Sequence, residues 1–143
     1  MVEFFKACYI ACQNPSGMNI YLVEDDEIYA QFVKKALSNS NPKYSINTFT
    51  TAEDALKAIN GKLPDVMIVD YKLPGMSGID FYESIKSRIT DDNKVIMLSA
   101  LDDGNMVLSF IQKGVRDYVI KDESVIESLS AVLEGNEDEY YFN

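Results

Sequence analysis

A chain of 143 residues that is 47% apolar is sized for one domain with a real core, and its apolar residues are too many and too dispersed for a disordered polymer. A formal net charge of -10 argues against direct nucleic-acid binding, which needs clustered Lys and Arg. Histidine is absent, which excludes Ser-His-Asp and Cys-His catalysis, any His-ligated metal, and a phosphohistidine on this chain.

Residues 1–17 read as an N-terminal extension that closes in the breaker cluster Asn14-Pro15-Ser16-Gly17. Cys8 and Cys12, with no other Cys or His, make a poor zinc site and read as one helical face in a reducing compartment. The stretch Val2 to Cys12 holds Glu3 and a single basic residue, Lys6, and does not look like a secretory signal. No apolar run approaches the ~20 residues of a membrane span. A cytoplasmic domain over 18–134 with no membrane partner is expected, followed by an acidic, aromatic tail over 135–143.

Asn19 to Val23 predicts the first strand, and Ile28, Phe32, Val33, Ala36 and Leu37 recur at helical spacing after it. That helix fades in Ser38-Asn39-Ser40-Asn41-Pro42. Tyr44 to Phe49 alternates as a second strand. Thr51, with Asp54 three residues on, predicts a helix N-cap, with Ala52, Ala55, Leu56 and Ile59 as the apolar face and Gly61 as the C-cap. Val66 to Val69 has no polar break and reads as a strand buried on both faces. Gly78 to Arg88 carries Ile79, Phe81, Tyr82 and Ile85 at helical spacing.

Asp91-Asp92-Asn93 turns into a fourth strand, Lys94 to Leu98. A fourth helix over Asn105 to Lys113 is expected to point Val107, Leu108 and Ile111 inward, with Gly114 ending it. Asp117 to Ile120 is the fifth strand, and Ser124 to Leu133 a fifth helix with Val125, Ile126, Leu129 and Val132 at core spacing. Five strands alternating with five helices predict an α/β fold: a parallel sheet covered on both faces, with right-handed crossovers.

Four of these strands end in polar groups. The first runs into Glu24-Asp25-Asp26, the third into Asp70, the fourth into Ser99 and the fifth into Lys121. In open α/β sheets, sites form at the carboxyl ends of the strands. Adjacent acids there repel one another unless a cation compensates, and magnesium suits hard oxygen ligands. Asp70 could be a carboxylate nucleophile toward phosphorus, with Ser99 and Lys121 meeting the phosphoryl oxygens. Taken singly, each has a plainer reading, as a cap, a strand-end hydroxyl or a surface lysine. Their value lies in co-occurrence at successive strand ends.

Four segments in order resemble the receiver domain of two-component response regulators. They are Ile20-Tyr21-Leu22-Val23-Glu24-Asp25-Asp26, Val69-Asp70-Tyr71-Lys72-Leu73-Pro74-Gly75-Met76-Ser77-Gly78, Met97-Leu98-Ser99-Ala100, and Gly114-Val115-Arg116-Asp117-Tyr118-Val119-Ile120-Lys121. The resemblance covers about Met18 to Leu133. It implies a flavodoxin-like, doubly wound sheet in strand order 2-1-3-4-5 with five helices. It further implies that Asp70 accepts a phosphoryl group, from a sensor histidine kinase or a histidine phosphotransfer protein. Mg2+ would be held by Asp25 directly, Glu24 through water, Asp70, and the Lys72 backbone carbonyl. Ser99 and Tyr118 would be the switch pair, and Lys121 the phosphoryl-pairing lysine. Lys72 and Leu101 occupy positions expected to tune the phosphoryl lifetime, and apolar Leu101, unable to orient water, predicts slow autodephosphorylation. A homodimer through helix four, strand five and helix five is a family-level expectation.

One departure stands out. The family usually has a cis proline after the lysine, and here Asp122 follows Lys121. A non-proline cis bond costs roughly 2.5–4 kcal/mol, so the loop either retains that strain or runs trans. Three other classes compete. A magnesium-dependent aspartyl-phosphate phosphohydrolase would need an acid two places after the nucleophile, where Lys72 stands. A nucleotide or flavin binder would need glycines, not Glu24 to Glu27, in the first strand-to-helix turn. A degenerate receiver would only bind partners. The reading adopted is a phosphoacceptor signalling domain, not an enzyme acting on other substrates.

Overall fold

The computed structural model describes residues 17–100 and 104–135. Cys8, Cys12, Leu101 and the tail from residue 136 lie outside the described residues. The strands are β1 (Met18–Val23), β2 (Tyr44–Phe49), β3 (Val66–Asp70), β4 (Lys94–Ser99) and β5 (Asp117–Ile120). The helices are α1 (Glu27–Ser40), α2 (Ala52–Ala58), α3 (Gly78–Ile85), α4 (Gly104–Gln112) and α5 (Val125–Leu133). All strand pairs are parallel, in the order β2-β1-β3-β4-β5. This is the flavodoxin-like arrangement expected from the strand-helix alternation and the family resemblance.

Side-chain parity along the strands builds two cores. Ile20, Leu22, Ile68, Ile96, Leu98 and Val119 face Ala30, Val33 and Leu37 of α1 and Val125, Leu129 and Val132 of α5. Val23, Met67, Val69, Val95 and Met97 face the other way, onto α2, α3 and Phe110 of α4. β3 lies in the middle and is buried at every residue. β2 is an edge strand, and only Ile46 of it is buried.

The predicted Thr51 cap forms: its hydroxyl accepts the Asp54 N–H at 3.1 Å. Ser77 caps α3 in the same way through the Asp80 N–H at 3.1 Å. α2 ends at Ala58 with Ile59 as its cap, and Gly61 follows at φ +83°, beyond the helix rather than capping it. The third helix is shorter than its periodicity suggested: α3 stops at Ile85 and a 3-10 turn covers Lys86–Arg88.

Two helices face differently from the expectation. On α1, Ile28 is 85% and Phe32 50% exposed, while Ala30, Val33 and Leu37 face the sheet. Residues four apart share a face, and those two apart lie nearly opposite at 100° per residue. Ile28 and Phe32 therefore form an outward pair. On α4, Leu108 and Ile111 are exposed at 59% and 55%, and Phe110, absent from the expected inward set, is the fully buried anchor.

Candidate functional site

Parallel register brings the strand ends into line. Val23 pairs with Val69 and Ser99 with Ile120, so Glu24, Asp70, Ser99 and Lys121 emerge at the carboxyl edge of the sheet. Glu24, at 1% exposure, has its N–H bonded to the Phe49 carbonyl at 2.9 Å, which continues the β1–β2 ladder one residue past the strand. Asp70 and Ser99 are also buried.

Lys121 ties the edge together. Its Nζ donates to Glu24 Oε2 at 2.6 Å and to Asp70 Oδ2 at 2.9 Å. The Lys121 N–H donates to the Ser99 carbonyl at 2.8 Å, which fixes where the side chain departs. The second oxygens of the two carboxylates meet backbone donors, Asp26 N–H to Glu24 Oε1 at 3.1 Å and Lys72 N–H to Asp70 Oδ1 at 3.2 Å. Two buried carboxylates thus share one ammonium, a net negative site.

Burial pushes the Glu24 carboxyl up to about 7, against the lowering pull of the Lys121 and Asp26 hydrogen bonds, and the Asp70 charge adds to the rise. Burial alone would lower Lys121, but its bonds to Glu24 and Asp70 hold the ammonium above the ordinary lysine range. A site short of positive charge is one a cation completes. Glu24, Asp25 and Asp70 each offer a carboxylate oxygen, and these lie within 4.8 Å of one another. Three hard oxygen donors with Asp25 open to solvent suit Mg2+, which keeps several waters.

The loop after Asp70 is tightly held. Gly78 N–H bonds the Tyr71 carbonyl at 3.1 Å, and a Cβ on Gly78 would sit 2.5 Å from the Asp70 carbonyl oxygen. Only glycine lets α3 start this close to the strand end. Gly75 takes φ +74°, and the Glu53 carboxylate accepts the Met76 N–H at 3.3 Å, pinning the loop to α2.

The chain matches the family model described as response regulator receiver domain over residues 20–133. The chain belongs to the response regulator receiver family. The relative named Probable transcriptional regulatory protein NarL, of Mycobacterium tuberculosis, is 31% identical over 123 residues, 84% of this chain and 55% of the relative. The DNA-binding transcriptional regulator NtrC of Klebsiella pneumoniae is 30% identical over 112 residues, 78% of this chain and 23% of that protein. The BeF3-activated receiver domain of DrrB, a Thermotoga maritima protein, superposes at a TM-score of 0.68 with 29% identity, covering 82% of this chain and 98% of that one. The chain spans about half the length of NarL and a smaller share of NtrC.

As a receiver, the chain is a two-component signalling domain of a phosphoacceptor family. Receivers bind Mg2+ at an acidic cluster and interact with histidine kinases or phosphotransfer proteins. Relatives named as DNA-binding regulators do not support the expectation, read from net charge, that nucleic acid is no direct partner. Among the described residues, no helix is long and apolar enough to cross a membrane.

The structure brings Glu24, Asp70 and Lys121 into direct contact, with Asp25 and Ser99 at the same edge. Tyr118 is half-buried against the core that holds Phe110 and Met97. The Lys72 side chain is exposed, and no acid takes the place that a phosphohydrolase would need. The Lys121–Asp122 bond is trans, and Asp122 Oδ1 accepts the Ser124 N–H at 2.9 Å just ahead of α5. Asp26 is the α1 N-cap, accepting the Tyr29 N–H at 3.1 Å. Sequence reasoning passed over Tyr29, whose ring lies against Lys121. Its position one turn after the cap, four residues beyond Asp25, was the signal available.

Proposed function

We propose that this chain is a phosphorylatable switch in which Asp70 accepts a phosphoryl group from a phosphohistidine donor, a sensor histidine kinase or a histidine phosphotransfer protein. The observation that carries this reading is one ammonium bridging two buried carboxylates at 2.6 and 2.9 Å, with a third carboxylate beside them. An Asp70 oxygen attacks phosphorus, the P–N bond to the donor imidazole breaks, and an acyl phosphate forms as the imidazole leaves.

Asp25, Asp70, the Lys72 carbonyl and, through water, Glu24 are read as the groups that hold Mg2+. The bound ion would offset negative charge on the phosphoryl oxygens. Lys121 then pairs with a phosphoryl oxygen in place of its Asp70 contact. Ser99 donates its hydroxyl to another phosphoryl oxygen, and Tyr118 turns inward into the space that Ser99 leaves. The readout is a two-state surface of α4, β5 and α5. Exposed Leu108 and Ile111 make that surface apolar enough to support a homodimer or a partner contact.

Catalysis is limited to the domain's own phosphorylation and dephosphorylation. Lys72 and Leu101 are read as setting the lifetime, and the compartment as cytoplasmic. Relatives that regulate transcription favour an output in gene control, through a partner or an attached domain. The test is intact mass after incubation with acetyl phosphate and Mg2+. Wild type should gain one phosphoryl group, Asp70→Asn none, and chelation should abolish the gain. An unmodified wild type that is folded would overturn the reading in favour of a binding-only receiver.

A further inference from the structure

We infer that Tyr29 is a positioning residue for Lys121, its ring holding the ammonium over the site while the lysine's carboxylate contacts change. This rests on the reading of Asp70 and Lys121 above. The Lys121 Nζ lies 4.7 Å from the centroid of the Tyr29 ring, as well as 2.6 Å from Glu24 and 2.9 Å from Asp70. An ammonium has three N–H donors; two carboxylates take two of them, and the electron-rich ring face meets the remaining side.

The three contacts differ in what happens during phosphoryl transfer. Asp70 becomes an acyl phosphate, and Glu24 is asked to face a hydrated cation. Both lysine bonds therefore lengthen or exchange. The ring carries no charge and takes no part in either change.

Tyr29 is also anchored by contacts other than the one to Lys121. Its N–H is held by the Asp26 cap at 3.1 Å on the first turn of α1. Its ring is half-buried, packed against the core between α1 and α5, and meets the Phe32 ring at 5.9 Å between centroids. The hydroxyl contributes no bond here: among the described residues, Tyr29 Oη is the buried side-chain polar atom that lacks a partner. The aromatic face is thus what the position supplies, and phenylalanine should serve as well.

The test compares Tyr29→Leu and Tyr29→Phe with wild type. Acetyl phosphate phosphorylation at saturating donor should be about 3- to 30-fold slower in Tyr29→Leu, the span that a cation–π contact of this kind implies. Donor half-saturation and Mg2+ affinity should stay at wild-type values, and Tyr29→Phe should lie within about twofold of wild type. Proton NMR gives a readout that needs no phosphorylation. The Lys121 ε-methylene should be shifted upfield by the ring in wild type and Tyr29→Phe, and return to the ordinary lysine position in Tyr29→Leu. An unshifted methylene in wild type overturns the inference even if the leucine variant fails to fold. A full-rate Tyr29→Leu, or a Tyr29→Phe as slow as Tyr29→Leu, overturns it as well. If wild type takes no phosphoryl group, the functional reading fails, and the ring shift still decides this one.

Discussion

Glu24 is where burial and charge conflict most sharply. Its carboxyl is raised from 4.5 to about 7, so in that window the folded chain keeps a proton that the unfolded chain has released. When the folded state binds more protons, stability falls as pH rises. Lys121 has the same sign in a higher window: its raised ammonium contributes stability that is fully present below the ordinary lysine value and is lost as pH rises through the folded value. Melting in metal-free buffer should therefore show wild type losing stability between about pH 5 and pH 7, relative to Glu24→Gln. A wild-type curve parallel to that of the variant across this window would contradict the assignment. Asp70 and Lys121 were legible in the sequence because each directly follows an apolar run. Tyr29 was not, since nothing in a linear pattern says which side chain a lysine 92 positions away will reach.

At the scale of elements, Phe110 is the principal anchor of α4 to the sheet, with half-buried Met106 packed against the same core. Phe110 is fully buried, and its ring lies 5.3 Å from that of Tyr71, the residue after Asp70. This contact links the phosphorylation loop to the helix proposed to move. Phe110→Ala should cost about 3–5 kcal/mol by cavity formation, measured by urea unfolding. It should also loosen α4 in amide exchange more than α1 or α5. A loss below about 1 kcal/mol would show that α4 is anchored elsewhere.

The helices also mark where sequence reading stops. Periodicity locates a helix but cannot choose its inner face when apolar residues lie on two sides. Ile28 with Phe32, and Leu108 with Ile111, satisfied helical spacing as well as the residues that face the sheet. The choice comes from tertiary packing, and of the two apolar pairs it leaves outside, only Leu108 with Ile111 lies on the proposed switch face. Strands were easier to read, because an unbroken apolar run such as Val66 to Val69 suits the middle of a parallel sheet.

Over the whole molecule, the parallel sheet collects at one edge groups that are 97 residues apart in sequence, Glu24 and Lys121. The alternation of strands and helices was sufficient to predict that convergence. The conformation after Lys121 was not predictable, because Asp122 stands where a proline would have constrained it; the bond is trans. The proposed switch depends above all on Asp70 being the acceptor. Borohydride reduction of the phosphorylated chain, followed by peptide mass spectrometry, tests it at the level of the residue. Reduction of an aspartyl phosphate yields homoserine, which is expected at position 70. Homoserine at Asp25, Asp26 or Asp122, with Asp70 unmodified, would contradict it.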